Sequence, residues 1–181
     1  MAQVLKQEVK ERIFEAAQEI FYEQNFKRAT MQGIAAAADV PVGLIYTYFP
    51  NKASLFSAVV APVSELIAAG DNPPNDLKAL DYEYLLNLLS HSRLLVTMAD
   101  KSQGTPDENM RSQLTDVLEK QLRIVMKNIG KVGHDDFFLH LLACNFTESL
   151  LEIARNFVDE AWSRRMLNLV MRAYFEGVNH L

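Results

Sequence analysis

Apolar residues recur at steps of three and four along almost the whole chain. No stretch alternates apolar and polar for the length of a strand, so the pattern predicts an all-α fold. Leu5, Val9, Ile13, Ala16, Ala17 and Ile20 make the first stripe, a helix of about five turns that stops at Asn25. From Thr30 to Leu55 the chain reads as two short helices joined by a tight turn, then a Pro-Asn-Lys start to a longer helix through Leu55, Phe56, Val59 and Leu66. Pro62 is expected to bend that helix. The run Gly70-Asp71-Asn72-Pro73-Pro74-Asn75-Asp76 is the strongest breaker in the sequence and predicts a surface loop. Leu77 to Ala99 is apolar round most of its circumference, which suits one helix in the middle of a bundle, although Asn87, Ser90, His91 and Ser92 interrupt it. After a break at Lys101 to Pro106, Thr105 or Asp107 is placed to cap a helix carrying Met110, Leu114, Val117, Leu118, Leu122, Val125 and Ile129 and ending at Gly130. His134 to Asn156 and Asp159 to His180 are the last two helices.

The Thr30–Leu55 segment is the most specific part of the pattern. The Thr30 hydroxyl can cap the first short helix, which should end near Ala38. Asp39 tolerates turn geometry, and Pro41 ends one helix and suits the opening of the next. Ile34, Val40, Ile45 and Phe49 are spaced to point inward, leaving Gly43, Leu44, Thr47 and Tyr48 for an outer face. This is a helix-turn-helix pattern.

Ala29-Thr30-Met31, Ile34-Ala35, Val40, Gly43, Ile45-Tyr46-Thr47-Tyr48-Phe49, Asn51-Lys52 and Leu55, with Ile13, Ala16-Ala17, Phe21 and Phe26 upstream, resemble the amino-terminal DNA-binding signature of the TetR family of transcriptional regulators. Asn25 and Asp39 depart from that pattern where the family often has glycine, and Pro41 where it often has a capping serine. Asn and Asp are the residues other than glycine that best accept left-handed geometry, so the turns should survive. The resemblance implies a three-helix helix-turn-helix head over residues 1–50, and a helical-bundle ligand-binding and dimerisation domain over 51–181. Thr30, Tyr48 and Lys52 would hold phosphates, Lys52 as a point charge. Val42, Gly43 and Leu44 open the reading helix without a side-chain hydrogen-bonding group, so they would read bases by close backbone approach and thymine methyl contact, with Tyr46 and Thr47 as polar readers. At Pro41 the missing hydroxyl puts one phosphate contact in doubt.

Charge changes the picture only locally. The chain has 18 basic and 23 acidic residues among 181, a net charge of -5, which argues against a global basic field for nucleic acid. The first 60 residues are neutral, however, and Glu11, Glu15, Glu19 and Glu23 share one side of the first helix, so the head can still present a basic face. The mixed charges of the opening MAQVLKQEVKERIF leave no leader-like or membrane-length apolar run there, and a cytoplasmic protein without a membrane partner is expected. A single cysteine, Cys144, allows no disulfide framework and is expected to be a buried, inert thiol.

Catalytic chemistry finds no foothold in the pattern. His134, Asp135, Asp136 and His140 are the only tempting cluster, but the two histidines are six apart and face different ways, so no metal is expected. The seven glycines form no phosphate loop, and no cofactor or enzyme activity is expected.

The final helix carries Trp162, Met166, Leu169, Val170, Met171 and Tyr174 over more than one stripe, which predicts a second apolar contact beyond its own domain. A homodimer through a four-helix bundle satisfies it, as in the resembled family. An apolar effector pocket is expected among Tyr84, Met98, Phe137 and Phe146, with Asn87 and His91 as polar anchors. Together these imply a ligand-responsive transcriptional regulator, a repressor by the family's usual mode. It would bind a near-palindromic double-stranded DNA operator as a homodimer and be released by a small, largely apolar effector. The alternative is a helical scaffold protein whose head binds protein, but that gives no reason for a phenol and an ammonium on the flank of a short exposed helix.

Overall fold

The computed structural model describes residues 2–71, 81–128 and 135–179, with side chains described over 7–70, 81–127 and 135–174. Most of the expected Gly70–Asp76 loop lies outside these residues, as do Leu77, Leu80, Ile129, Gly130, His134 and His180 and the side chains of Phe175 and Val178. Among the described residues there are nine helices and no strand: α1 (Ala2–Arg28), α2 (Met31–Ala37), α3 (Val42–Tyr48), α4 (Lys52–Asp71), α5 (Tyr82–Ser90), α6 (Ser92–Lys101), α7 (Met110–Asn128), α8 (Asp136–Arg155) and α9 (Glu160–Asn179).

Local chemistry explains where the helices begin and end. α1 is broken at Asn25, which has φ 64 and ψ 168, a region that side chains rarely occupy. Its Oδ1 accepts from the backbone N–H of Arg28 at 3.2 Å. The Thr30 hydroxyl oxygen accepts from Gly33 N at 3.0 Å and caps α2. Asp39, at φ 52, makes the left-handed turn before Pro41. Asp81 caps α5 by accepting from Glu83 N at 2.8 Å, and Asp135 caps α8 by accepting from Phe137 N at 2.8 Å.

The expected single helix from Leu77 to Ala99 is two helices in its described part, α5 and α6, broken at His91. The cause is competition for one carbonyl: Ser90 Oγ donates to Asn87 O at 2.7 Å, and His91 Nδ1 lies 3.0 Å from the same oxygen. Thr105 and Asp107 do not cap α7. Thr105 Oγ1 accepts from Asp107 N at 3.1 Å within the preceding turn, and Asp107 Oδ2 accepts from Ser57 Oγ at 2.5 Å, tying that turn to α4. Pro62 is accommodated within α4, which runs on through it to Asp71.

One continuous apolar core runs from Ile13 in the head to Leu167 in the last helix. Phe21 and Phe26 meet Phe56 at ring centroid distances of 5.0 and 5.4 Å, fixing α1 against α4, while Phe14 meets Phe49 at 5.6 Å and anchors the end of α3. α4 also packs on α6 and α7, so it belongs to head and body alike. α4 and α8 are long and apolar enough, by length and composition, to cross a membrane. Packing accounts for their apolarity: α4 touches α1, α6 and α7, and α8 touches α6, α7 and α9.

Candidate functional site

α2 and α3 form the expected helix-turn-helix. Ile34 and Ile45 are fully buried, Phe49 is 8% exposed and Val40 packs at their edge, so the inward set is the expected one. Facing out are Pro41, Gly43, Tyr46 and Thr47, with Val42, Leu44 and Tyr48 half-buried along their flanks. A Cβ built on Gly43 would meet nothing within 4 Å. The fold therefore does not require glycine there. Gly33 is different, because its Cβ would lie 3.1 Å from the capping Thr30 Oγ1.

Beside this face Thr30, Gln32, Val42, Tyr46, Asn51 and Lys52 are among the residues lining a cleft of 510 Å³. Spacing marks Gln32 and Asn51 only as helix-forming and capping residues. Their place at the starts of α2 and α4, next to the outward face, is the signal that would have found them. The Thr30 oxygen is used as the cap, but its hydrogen remains available to donate outward. Thr47 is more restricted than expected: its hydroxyl donates to Leu44 O at 2.7 Å, so toward an outside group it can only accept.

Lys52 departs most from its expected role. Its ammonium donates to Phe26 O at 2.6 Å and Ala29 O at 2.8 Å, and lies 4.4 Å from the centre of the Phe26 ring. The charge neutralises carbonyls released where α1 breaks at Asn25, instead of standing free on the surface.

The six proposed effector residues do not share one setting. Met98 and Phe146 are buried in the core, Phe137 is 65% exposed at the start of α8, and Asn87 is exposed. His91 serves as the joint between α5 and α6. Tyr84 is the exception with chemical interest. Its hydroxyl is buried without a hydrogen-bond partner among the described residues, and burial pushes its pKa up to about 12.

The proposed dimer residues divide into two sets. Trp162, Met166, Leu169 and Val170 line an open groove of 740 Å³ between α8 and α9, with Leu169 58% exposed. Met171 and Tyr174 lie outside the groove lining and, like Trp162, Met166 and Val170, pack on their own core, Tyr174 edge-on to Phe146 at 5.1 Å. Cys144 is half-exposed and beside His140, which corrects the expectation of a buried thiol. No cluster suited to a metal ion occurs among the described residues.

A head with an inward set this complete and an outward face this bare defines a helix-turn-helix protein. Residues 13–59 match the family model of bacterial regulatory proteins, tetR family. Over these residues the head is similar to the DNA-binding head of the TetR family. It is 41% identical over 59 residues, covering 33% of this chain and 28% of the relative, to the HTH-type transcriptional regulator TtgR of Pseudomonas putida. It is 34% identical over 70 residues, covering 38% and 33%, to the HTH-type transcriptional repressor KstR of Rhodococcus jostii. The matched part thus spans a third or less of these curated relatives. The fold is shared more widely: the TetR family regulator PfmR of Thermus thermophilus superposes with a TM-score of 0.59 at 23% identity, over 89% of this chain and 97% of that one.

Proposed function

We propose that this protein is a ligand-responsive transcriptional regulator, a repressor, that binds a near-palindromic operator as a homodimer and is released by a small, largely apolar effector. The head, residues 1–50, reads DNA, while residues 51–181 hold the effector and the second copy. The observation that carries this reading is Gly43: nothing inside the protein excludes a side chain there, so an approaching outside surface is what a side chain would obstruct. Val42 and Leu44 flank it and offer only apolar contact, which suits thymine methyl groups, while Thr30, Tyr48, Gln32 and Asn51 supply polar contacts to the backbone. The open groove at Trp162, Met166, Leu169 and Val170 supports the dimer, and the unpartnered Tyr84 hydroxyl supports a polar anchor for an effector in the body.

Two substitutions test the docking. Gly43→Ala is expected to leave the fold as stable as before, or up to about 1 kcal/mol more stable, because alanine favours helix, yet to weaken duplex binding at least about tenfold. Leu44→Ala is expected to change base preference while the slope of log affinity against log salt stays the same. Unaltered binding by Gly43→Ala would refute this docking.

A further inference from the structure

We propose that Cys144 is a nucleophilic thiol with its own base, a site at which soft electrophiles of the enone and quinone class add covalently to the protein. Three side chains from two helices make the site. On α8, His140 and Cys144 are one turn apart on the same face, which brings His140 Nε2 to 3.4 Å from Cys144 Sγ. The other ring nitrogen, Nδ1, lies 2.9 Å from Glu119 Oε2 of α7. An ionised carboxylate only accepts, so Glu119 fixes the hydrogen of the neutral ring on Nδ1 and leaves Nε2 as the acceptor that faces the thiol. Arg123 holds Glu119 in turn, 3.2 Å from Oε1, while its other amino group binds Asp136 at 2.5 Å. Nucleophile, base and orienting carboxylate thus stand in series, the arrangement that activates thiols for attack.

The thiol is also reachable. Cys144 and His140 form one wall of a cleft of 460 Å³ between α7 and α8, and the charged groups on the opposite wall are Glu108, Arg111 and Asp116. In the reaction Sγ attacks the β-carbon of the unsaturated carbonyl. A sulfur–carbon bond forms as the carbon–carbon π pair moves toward the carbonyl oxygen. The thiol proton passes to His140 Nε2 and then to the α-carbon of the enolate, giving a saturated thioether and consuming no oxidant or reductant. Nothing in this step depends on DNA binding by the head.

Because Cys144 is the only cysteine, intact-mass measurement of adduct formation reads it directly. With limiting N-ethylmaleimide near pH 7, the full-length protein is expected to react at least about tenfold faster than glutathione, His140→Gln about tenfold slower than wild type, and Glu119→Gln in between. Unfolding in urea should remove the excess rate. Between about pH 6 and 8 the wild-type rate is expected to rise less steeply than that of His140→Gln, whose thiol depends on bulk base alone. A folded wild type no faster than glutathione, or a His140→Gln protein as fast as wild type, would overturn the proposal.

Discussion

The Lys52 ammonium is held 2.6 Å from the Phe26 carbonyl oxygen and 2.8 Å from that of Ala29, so the first residue of α4 closes the end of α1. Replacing it by methionine keeps the stem and leaves two carbonyls unpaired. A loss of about 1–2 kcal/mol, at the lower end for charge-assisted bonds because the group is only partly buried, is expected in urea unfolding. DNA affinity of the folded fraction should keep its salt slope. Unchanged stability with a slope reduced by about one unit per subunit would return Lys52 to the phosphate backbone.

Asn25 sits at φ 64 and ψ 168, where a Cβ is strained and glycine is not. Asn25→Gly is expected to stabilise the protein by about 1 kcal/mol, the relief of strain exceeding the loss of its bond to Arg28 N. Thermal unfolding at equal protein concentration checks it; a lowered midpoint would mean that the side-chain bond dominates.

These two residues show how far the sequence can be read. Asn25 and Asp39 are recognisable as residues able to replace glycine in turns, and the Thr30 cap, the inward Ile34 and Ile45 and the outward Gly43 follow from helical spacing, because all are local. The role of Lys52 is not legible because its partners lie 26 and 23 residues away, and periodicity says nothing about which distant carbonyls lack a donor. The same limit hides the break at His91. Hydrophobicity favours one helix there, and only the geometry reveals two side chains meeting the Asn87 carbonyl. It also scatters the expected effector residues, since apolar spacing cannot distinguish packed core, as at Phe146, from an exposed ring, as at Phe137.

Tyr84 gives a pH dependence with a definite sign. Its folded pKa of about 12 lies above the ordinary value of 10.0, so the unfolded chain releases the phenolic proton first. Stability from this group is complete below about pH 10 and is lost as pH rises through about 12. Tyr84→Phe should flatten that part of the stability profile and, by removing an unpartnered buried hydroxyl, should not destabilise the protein at pH 7. A profile equally steep in the variant would exclude Tyr84 as its source.

Leu169 is 58% exposed on the α9 face of the groove. A glutamate there would add a further negative charge, on the groove that Glu148 and Glu152 also line, to the proposed contact between two copies. Sedimentation of the wild type at micromolar concentration is expected to give a dimer, and Leu169→Glu a dissociating species. A monomeric wild type would remove both the bundle and the two-half-site operator.

Selection of bound duplexes from a random double-stranded DNA pool, using the full-length protein near physiological salt, tests the central claim most directly. The account predicts enrichment of one approximately palindromic sequence, its half-sites about 34 to 36 Å apart along the duplex or a multiple of that spacing. A pool that stays random after repeated rounds would contradict it.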